Sequence, residues 1–363
     1  MDCKECIDGI KSFMDKLQDE ESKEIFEAWF DFCIHRDSDV LERKLISGAI
    51  RHGRKGNSYI LDNFFREYPD RKEAPFVIFG AGRAGRASIR SLKFLGLEVA
   101  GCVDNKYALV ETAEGFVVDS PERLLVDWEN CTVLIAVVDR KVQDDIYDQL
   151  KEMGIPESRI MKIREGYIWA DYGKQYFDSD VLQADHGGEI FVDAGCYDGE
   201  TGRGAATWAG GKLSKIYAFE ADQNSINTCR KRLKETGCEF ELYHLATWSG
   251  KTTLTVNVNS DFGYASSVDA GGKESVNADS IDNILAGGRA TYIKLDVEGS
   301  ELETLKGAAN TIKKYRPKMA VSIYHKPEDI IDLPLFIESL GMNYKYYIRH
   351  YQTRWCETTL YAL

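Results

Sequence analysis

The chain has 363 residues, 44% hydrophobic and 29% charged, with a formal net charge of −13. Such an acidic balance argues against nucleic acid as a partner, because phosphate backbones repel it. No apolar run approaches the roughly 20 residues that a membrane span needs, and the first residues mix both charges instead of forming a secretory signal. We therefore expect a cytoplasmic protein of two or three domains without a membrane span.

Residues 1–74 predict a small helical segment. Apolar side chains recur at helical spacing, first at Ile7, Ile10, Phe13 and Leu17 and again in the stretch around Trp29. The segment has neither a strand pattern nor a glycine-rich loop. We expect it to act as a scaffold that could support a homodimer.

Residues 75–164 predict a Rossmann-like domain. The apolar run 76–79 is typical of a strand buried on both faces, and Gly80, Gly82 and Gly85 follow it in G-x-G-x-x-G spacing before a helix at 86–95. A second strand at 99–103 ends in Asp104, an acid suited to a ribose. A further strand at 133–138 and a helix at 141–153 complete the pattern.

Residues 165–363 predict a second doubly wound α/β domain. Parallel strands are expected at 190–193, 216–220, 240–245, 292–296 and 319–323, with helices between them. Residues 343–349 and 358–362 predict an antiparallel hairpin at the end. The fold class is therefore α/β, with two Rossmann-like domains after a helical segment.

The carboxyl ends of the first three strands predict a cofactor site. Asp193 suits a cationic amino-acid group and would repel a diphosphate, which favours S-adenosylmethionine over a dinucleotide. Glu220 ends the next strand and can accept hydrogen bonds from ribose hydroxyls. The small residue Ala246 leaves room for an adenine ring. The remaining expected cofactor residues belong to the turns that follow the first two strands: Ala194, Gly195, Asp198, Gly199 and Ala221.

Charged residues crowd the end of the fourth strand. Lys294, Asp296 and Glu298 occur in an otherwise apolar stretch, and burying charges is costly unless they are paired or used. His325 follows the fifth strand and should reach the same edge of the sheet as Asp296.

Residues from about 175 to 362 resemble the FkbM-type methyltransferase family. The matching stretches are FVDAGCYDGET, AFEAD, IKLDVEGSELETLKGA and YHKPED. The resemblance implies a class I methyltransferase fold and methyl transfer from S-adenosylmethionine to a hydroxyl of a small molecule, such as a sugar. It further implies that Asp193, Gly195 and Glu220 hold the cofactor.

By the same resemblance, Asp296 and His325 would face the acceptor, with His325 as the candidate base. Two ligands are too few to predict a metal site. Many family members have Asn where this chain has Tyr197, so ligand contacts of that loop could differ. Residues 258–278 are expected to form a loop that shapes the acceptor pocket.

The middle domain resembles the nucleotide-sugar-binding N-terminal domain of bacterial sugar N-acyltransferases. The matching stretches are VIFGAGRAG, GLEVAGCVDNK and LIAVVDR. Its ligand could be a nucleotide sugar, NAD or none. An alternative hypothesis is a nicotinamide-dependent or nucleotide-sugar-binding protein that uses residues 80–104, with a non-catalytic methyltransferase domain. A third is an assembly module in which both sites are degenerate.

Overall fold

The computed structural model describes residues 3–54, 58–162, 174–185, 187–258, 266–268 and 274–363. These form two compact units. The C-terminal unit comprises Met1–Arg36, Gly173–His350 and Cys356–Leu363, and the middle unit comprises Asp37–Tyr172 and Tyr351–Trp355. In the described part of the chain, no helix has the length and apolar character needed to cross a membrane. The expected boundary near residue 164 lies outside the described residues, so the three-domain division stays a prediction.

The N-terminal residues are helical, and the two units divide them. The helices are α1 (Cys3–Met14), α2 (Glu20–His35), α3 (Ser38–Arg51) and α4 (Tyr59–Glu67). Arg36, in the left-handed region at φ 56°, ends α2, and the Asp37 side chain caps α3 by accepting from two backbone N–H groups. This break separates α1 and α2, which belong to the C-terminal unit, from α3 and α4, which belong to the middle unit.

The middle unit is a doubly wound sheet with one antiparallel edge strand. In chain order its elements are β1 (Phe76–Phe79), α5 (Arg83–Phe94), β2 (Val99–Val103), β3 (Thr112–Ala113), β4 (Phe116–Asp119), β5 (Thr132–Ile135), α6 (Arg140–Glu152) and β6 (Ile160–Lys162). The strand order is β3-β4-β2-β1-β5-β6, and all pairs are parallel except β3 with β4. Every residue of β1 is buried, which explains its uninterrupted apolar sequence.

The C-terminal unit carries the larger sheet. Its further elements are β7 (Glu189–Ala194), α7 (Glu200–Trp208), β8 (Leu213–Glu220), α8 (Ile226–Glu235), β9 (Glu239–His244), β10 (Ala246–Thr247), β11 (Thr252–Val258), β12 (Ser266–Val268), β13 (Glu274–Asp279), α9 (Ile281–Leu285), β14 (Tyr292–Leu295), α10 (Glu301–Gly307), α11 (Ala309–Tyr315), β15 (Lys318–Ser322), α12 (Asp329–Ser339), β16 (Tyr346–His350) and β17 (Thr358–Ala362).

Seven strands form this sheet in the order β16-β17-β15-β14-β7-β8-β9. Strand β17 runs antiparallel to both of its neighbours, β15 and β16, as the expected hairpin requires. The two doubly wound sheets confirm the predicted α/β class. A second sheet, β10-β13-β11-β12, was not predicted, although β11 carries apolar residues at alternate positions, Leu254, Val256 and Val258.

Helix α2 is fixed to the hairpin by buried polar contacts. Asp19 caps the helix by accepting from the backbone N–H of Ser22 at 2.9 Å, and it also accepts from the Arg349 guanidinium of β16 at 2.5 Å. The fully buried Trp29 indole donates to the Thr358 hydroxyl at 3.0 Å. Burial alone would raise the pKa of Asp19, but the hydrogen bonds from Arg349 and Ser22 lower it from 3.8 to about 2.

We expect Asp19→Asn to lower the free energy of unfolding by about 1–2 kcal/mol, because a hydrogen bond to a charged group is lost. The folded-state pKa of Asp19 is depressed, so its contribution is present above about pH 4 and is lost as the pH falls toward about 2. Urea denaturation at neutral and acidic pH measures this difference. The control Glu20→Gln changes an exposed carboxylate on the same turn and should shift stability by less than about 0.5 kcal/mol. Equal effects of both substitutions would contradict the role of Asp19.

Candidate functional site

Polar side chains gather at the carboxyl edge of the large sheet. Strands β7, β8, β14 and β15 are parallel neighbours, so all four end on the same side. Gly195, Glu220 and Asp296 each lie at or directly after one of these strand ends, and His325 follows β15. Ligands of open α/β sheets bind outside such carboxyl ends.

The loop between β7 and α7 depends on glycine at two positions. Gly195 has φ 75°, and a Cβ there would lie 1.8 Å from the backbone oxygen of Asp296. Gly195 is an expected cofactor residue, but the group nearest to the position of its missing Cβ is the Asp296 backbone. Gly199, at φ 86°, caps α7. Tyr197 also has a positive φ, 45°, which is costly for an aromatic residue and easier for Asn.

Glu220 holds this loop through backbone hydrogen bonds. Its Oε2 accepts from the N–H of Tyr197 at 2.6 Å, and its Oε1 accepts from the N–H of Asp222 at 2.7 Å. Burial raises the pKa of Glu220, although these two hydrogen bonds oppose the rise. Each carboxylate oxygen has a second lone pair beyond the one used in these hydrogen bonds. Glu220 can therefore still accept hydrogen bonds from ribose hydroxyls.

Asp193 lies beneath the loop and not at its surface. Its side chain is fully buried, accepts from the Thr201 hydroxyl and lies 3.3 Å from the Lys294 Nζ. Lys294 is also buried, and its Nζ donates to the backbone oxygens of Gly195, at 2.5 Å, and Ala194, at 3.3 Å. Burial would lower the pKa of Lys294, but Asp193 and Asp296 outweigh it and raise that pKa. In this structure Asp193 contacts Thr201 and Lys294, and its expected part in cofactor binding stays a prediction.

The other expected cofactor residues differ in burial and in their contacts. Asp198 pairs with Arg232 of α8 and accepts from the N–H of Glu200, so it serves the start of α7. Ala194 is buried in β7. The backbone oxygen of Ala221 lies 3.0 Å from the His244 Nε2. Ala246 is partly exposed and begins β10, which pairs with β13 in the small sheet.

Asp296 is held by two tyrosines. Its Oδ2 accepts from the Tyr176 hydroxyl at 2.7 Å, and its Oδ1 accepts from the Tyr324 hydroxyl at 3.3 Å. The Tyr176 hydroxyl also contacts Ser322 of β15 at 3.2 Å. Burial would raise the pKa of Asp296, but Lys294 and His325 lower it. The Asp296 side chain is 23% exposed, against 9% for His325.

His325 lies among three carboxylates. Its Nε2 is 3.4 Å from Asp296 and 3.3 Å from Glu298, and its Nδ1 is 3.0 Å from Glu301. Burial by itself would lower the pKa of His325, but the carboxylates, Glu301 above all, raise it well above 6.5. The expected role of His325 as the base stays a prediction.

Sequence reasoning missed three residues of this site, Tyr176, Glu301 and Tyr324, and it noted the charge of Glu298 without giving that residue a role. The two acids stand beside Asp296 in the run D-V-E-G-S-E, so three acids within six residues after a buried strand were an available signal. Tyr176 had no such signal, because only the fold brings residue 176 to the end of β14. Of the expected acceptor loop at 258–278, residues 259–265 and 269–273 lie outside the described residues.

The middle unit repeats the glycine-loop arrangement. A Cβ on Gly85 would lie 1.7 Å from the Gly80 backbone oxygen, whereas a Cβ on Gly82 would meet no atom of the described chain within 4 Å. Gly80 itself has φ 119°. Asp104 accepts from the N–H of Ala81 at 2.7 Å and from the N–H of Lys106 at 2.8 Å. These four predicted residues thus share one loop region, and their ligand stays a prediction.

We expect Gly195→Ala to destabilise the C-terminal unit by about 3 kcal/mol or more, because a Cβ would overlap the Asp296 backbone at a positive φ. Thermal unfolding followed by circular dichroism measures the loss. Gly250→Ala is the matched control, since a Cβ there meets no described atom within 4 Å and its φ is not positive. An unchanged melting temperature for Gly195→Ala would contradict the close approach of the two loops.

Two sequence families match parts of the chain. Residues 193–346 match the methyltransferase FkbM domain, and residues 73–161 match the family described as C2185-like, N-terminal. No curated protein matches the chain.

Similar solved structures are remote in sequence. A structure of methyltransferase FkbM from Methylobacillus flagellatus KT has 19% identity and a TM-score of 0.48, over 90% of this chain and 100% of that one. Precorrin-6y C5,15-methyltransferase from Geobacter metallireducens GS-15 has 11% identity and a TM-score of 0.31, over 52% and 84%. Fibrillarin from Aeropyrum pernix, in complex with natively bound S-adenosyl-L-methionine, has 8% identity and a TM-score of 0.33, over 50% and 69%. All three TM-scores are below 0.5, and the match to the FkbM domain is one of sequence.

Proposed function

Since the C-terminal part of this chain belongs to the FkbM methyltransferase family, we propose that it transfers a methyl group from S-adenosylmethionine to a hydroxyl of a small molecule, such as a sugar. The observation that carries the proposal is the approach of two loops at one sheet edge. The glycine loop after β7 approaches the backbone of Asp296, whose side chain is partly exposed. A cofactor loop and a proton acceptor are thus neighbours.

The charges at this edge suit the proposed cofactor. Glu220, Asp296 and Glu298 contribute carboxylates, and the nearby Lys294 is buried in its pair with Asp193. Such a surface favours a sulfonium and an ammonium group and disfavours a diphosphate. When bound, S-adenosylmethionine would supply an activated methyl group. Glu220 is the candidate for the ribose hydroxyls, and the backbone of the glycine loop is the candidate contact for the rest.

A hydroxyl acceptor must lose its proton during the transfer, and Asp296 is our candidate acceptor of that proton. The Asp296 side chain is 23% exposed, against 9% for His325. Tyr176 and Tyr324 hold the Asp296 carboxylate in one orientation. His325, 3.4 Å behind it, is then a positioning residue. Most of the rate acceleration should come from alignment of the acceptor oxygen with the methyl group.

Isothermal titration of the full chain with S-adenosylhomocysteine tests the cofactor site. We expect one bound ligand per chain, and we expect Glu220→Gln to weaken binding more than 10-fold, because an amide accepts fewer hydrogen bonds from ribose. Glu239→Gln, on the exposed start of β9, is the control and should bind within twofold of wild type. Asp193→Ala is a poorer test, since it would leave the Lys294 charge buried without its partner.

A folded wild-type protein that binds no S-adenosylhomocysteine would refute the proposal. Binding that is unchanged in Glu220→Gln would refute the part assigned to Glu220.

Release of S-adenosylhomocysteine in the presence of a panel of sugars, nucleotide sugars and other polyols tests the acceptor class. We expect turnover with at least one hydroxylated compound, and we expect Asp296→Asn to lower it about 100-fold or more, because proton removal is lost. Affinity for S-adenosylhomocysteine should stay within threefold. Asp185→Asn is the control, because Asp185 lies before the start of β7, at the end of the strands opposite to Asp296. Turnover of Asp296→Asn equal to wild type would refute the role of Asp296.

The middle unit offers a second candidate binding site for a nucleotide. Asp104 holds the glycine loop of the middle unit as Glu220 holds that of the C-terminal unit. Each acid accepts a hydrogen bond from one N–H of the loop and from the N–H of the residue two positions after itself. A nucleotide sugar or NAD remains the proposed ligand of this loop. A homodimer built on the helical residues likewise remains a prediction.

A further inference from the structure

Asp296, Glu298, Glu301 and His325 form a compact group, here called the acidic–imidazole cluster. Asp296 and Glu298 lie in the turn between β14 and α10, Glu301 begins α10, and His325 follows β15. Glu298 at φ 53° and Gly299 at φ 89° bend this turn sharply. The His325 nitrogens lie 3.0–3.4 Å from the three carboxylates. The cluster therefore places three carboxylates around one imidazole ring.

Two members of the cluster have buried polar atoms that lack hydrogen-bonding partners. The Glu301 side chain is fully buried; its Oε1 accepts from the N–H of Val297 at 2.9 Å, but its Oε2 has no donor among the described residues. The His325 side chain is 9% exposed, and neither ring nitrogen makes a hydrogen bond of acceptable geometry within the described chain. Leaving a buried carboxylate oxygen without a partner is costly. A bound cation would remove that cost.

The spacing of the possible ligand atoms suits a single ion. One atom each from Asp296, Glu301 and His325 can be chosen so that all three lie within 4.8 Å of one another. In an octahedral shell with metal–ligand distances of about 2.1 Å, adjacent ligands are about 3 Å apart and opposite ones about 4.2 Å apart. Small side-chain adjustments would thus bring the three atoms onto one ion.

We propose that Asp296, Glu301 and His325 bind one divalent cation, with Glu298 adding negative charge beside it. Two carboxylates and one imidazole favour a transition metal such as Mn²⁺ over Mg²⁺, which prefers an all-oxygen shell. The cation would lie beside Asp296, where it could bind the acceptor hydroxyl and favour loss of its proton. This role in methyl transfer rests on the proposed function, whereas binding of the cation does not.

Titration of the metal-free full chain with Mn²⁺, with free Mn²⁺ followed by electron paramagnetic resonance, tests the site. We expect one Mn²⁺ per chain in the absence of any cofactor. Glu301→Gln should weaken binding at least 10-fold, because it removes a charged ligand but keeps an oxygen for the Val297 N–H. Glu303→Gln is the matched control on the same helix; Glu303 pairs with Lys306, and its loss should change the affinity less than twofold.

Asp296→Asn provides a second variant in case Glu301→Gln does not fold, because the Asp296 side chain is less buried. It too should weaken Mn²⁺ binding at least 10-fold while its circular dichroism spectrum stays that of wild type. Absence of Mn²⁺ binding by the folded wild-type chain up to millimolar concentration would overturn the proposal. So would binding that is equal in wild type, Glu301→Gln and Asp296→Asn, or equally weakened by Glu303→Gln.

Titration of the same preparations with S-adenosylhomocysteine separates the two proposals. Cofactor binding without Mn²⁺ binding would overturn the cation site and leave the proposed function intact. Binding of Mn²⁺ without cofactor binding would support the cation site and remove the proposed function.

Discussion

The buried ion pair between Asp193 and Lys294 is the contact on which the candidate site depends. The two residues are register partners in the central strands β7 and β14, and both side chains are almost fully enclosed. Lys294 also donates to the backbone oxygens of Ala194 and Gly195, so one ammonium group ties the end of β7 to β14. A buried pair of this kind is weak evidence for stability, because desolvation offsets much of its attraction. Its consequence here is positional: it fixes where the glycine loop leaves the sheet.

The position of that loop determines the position of Asp296. The Asp296 backbone oxygen fills the space that a Cβ on Gly195 would need, so the two loops can approach only with glycine there. Tyr176 and Tyr324 then orient the Asp296 carboxylate, and the turn toward α10 brings Glu301 and His325 together. Each of these contacts joins residues far apart in sequence. A change in the register of β14 would displace them all, because the strand carries Lys294 and leads into Asp296.

In both units an acid from the second strand holds the glycine loop that follows the first strand. In each unit a strand leads into a glycine loop. An acid at the end of the next strand accepts a hydrogen bond from one backbone N–H of that loop. Asp104 and Glu220 perform this task for Ala81 and Tyr197. An acid at this point is therefore structurally useful before any ligand binds. Its presence alone is a weaker sign of ribose binding than the sequence pattern suggests.

The sequence by itself determined the two α/β patterns, the buried strands and the terminal hairpin, because hydrophobic periodicity and glycine spacing are local properties. It also identified Asp296 and His325 as neighbours, since both follow parallel strands. Only the tertiary structure decided that Asp193 is enclosed by Lys294 and Thr201, and that α1 and α2 belong to the C-terminal unit. The same holds for Tyr176 and Glu301, whose contacts with Asp296 and His325 are made across the fold. Burial and the direction of a side chain depend on neighbours that no local sequence pattern specifies.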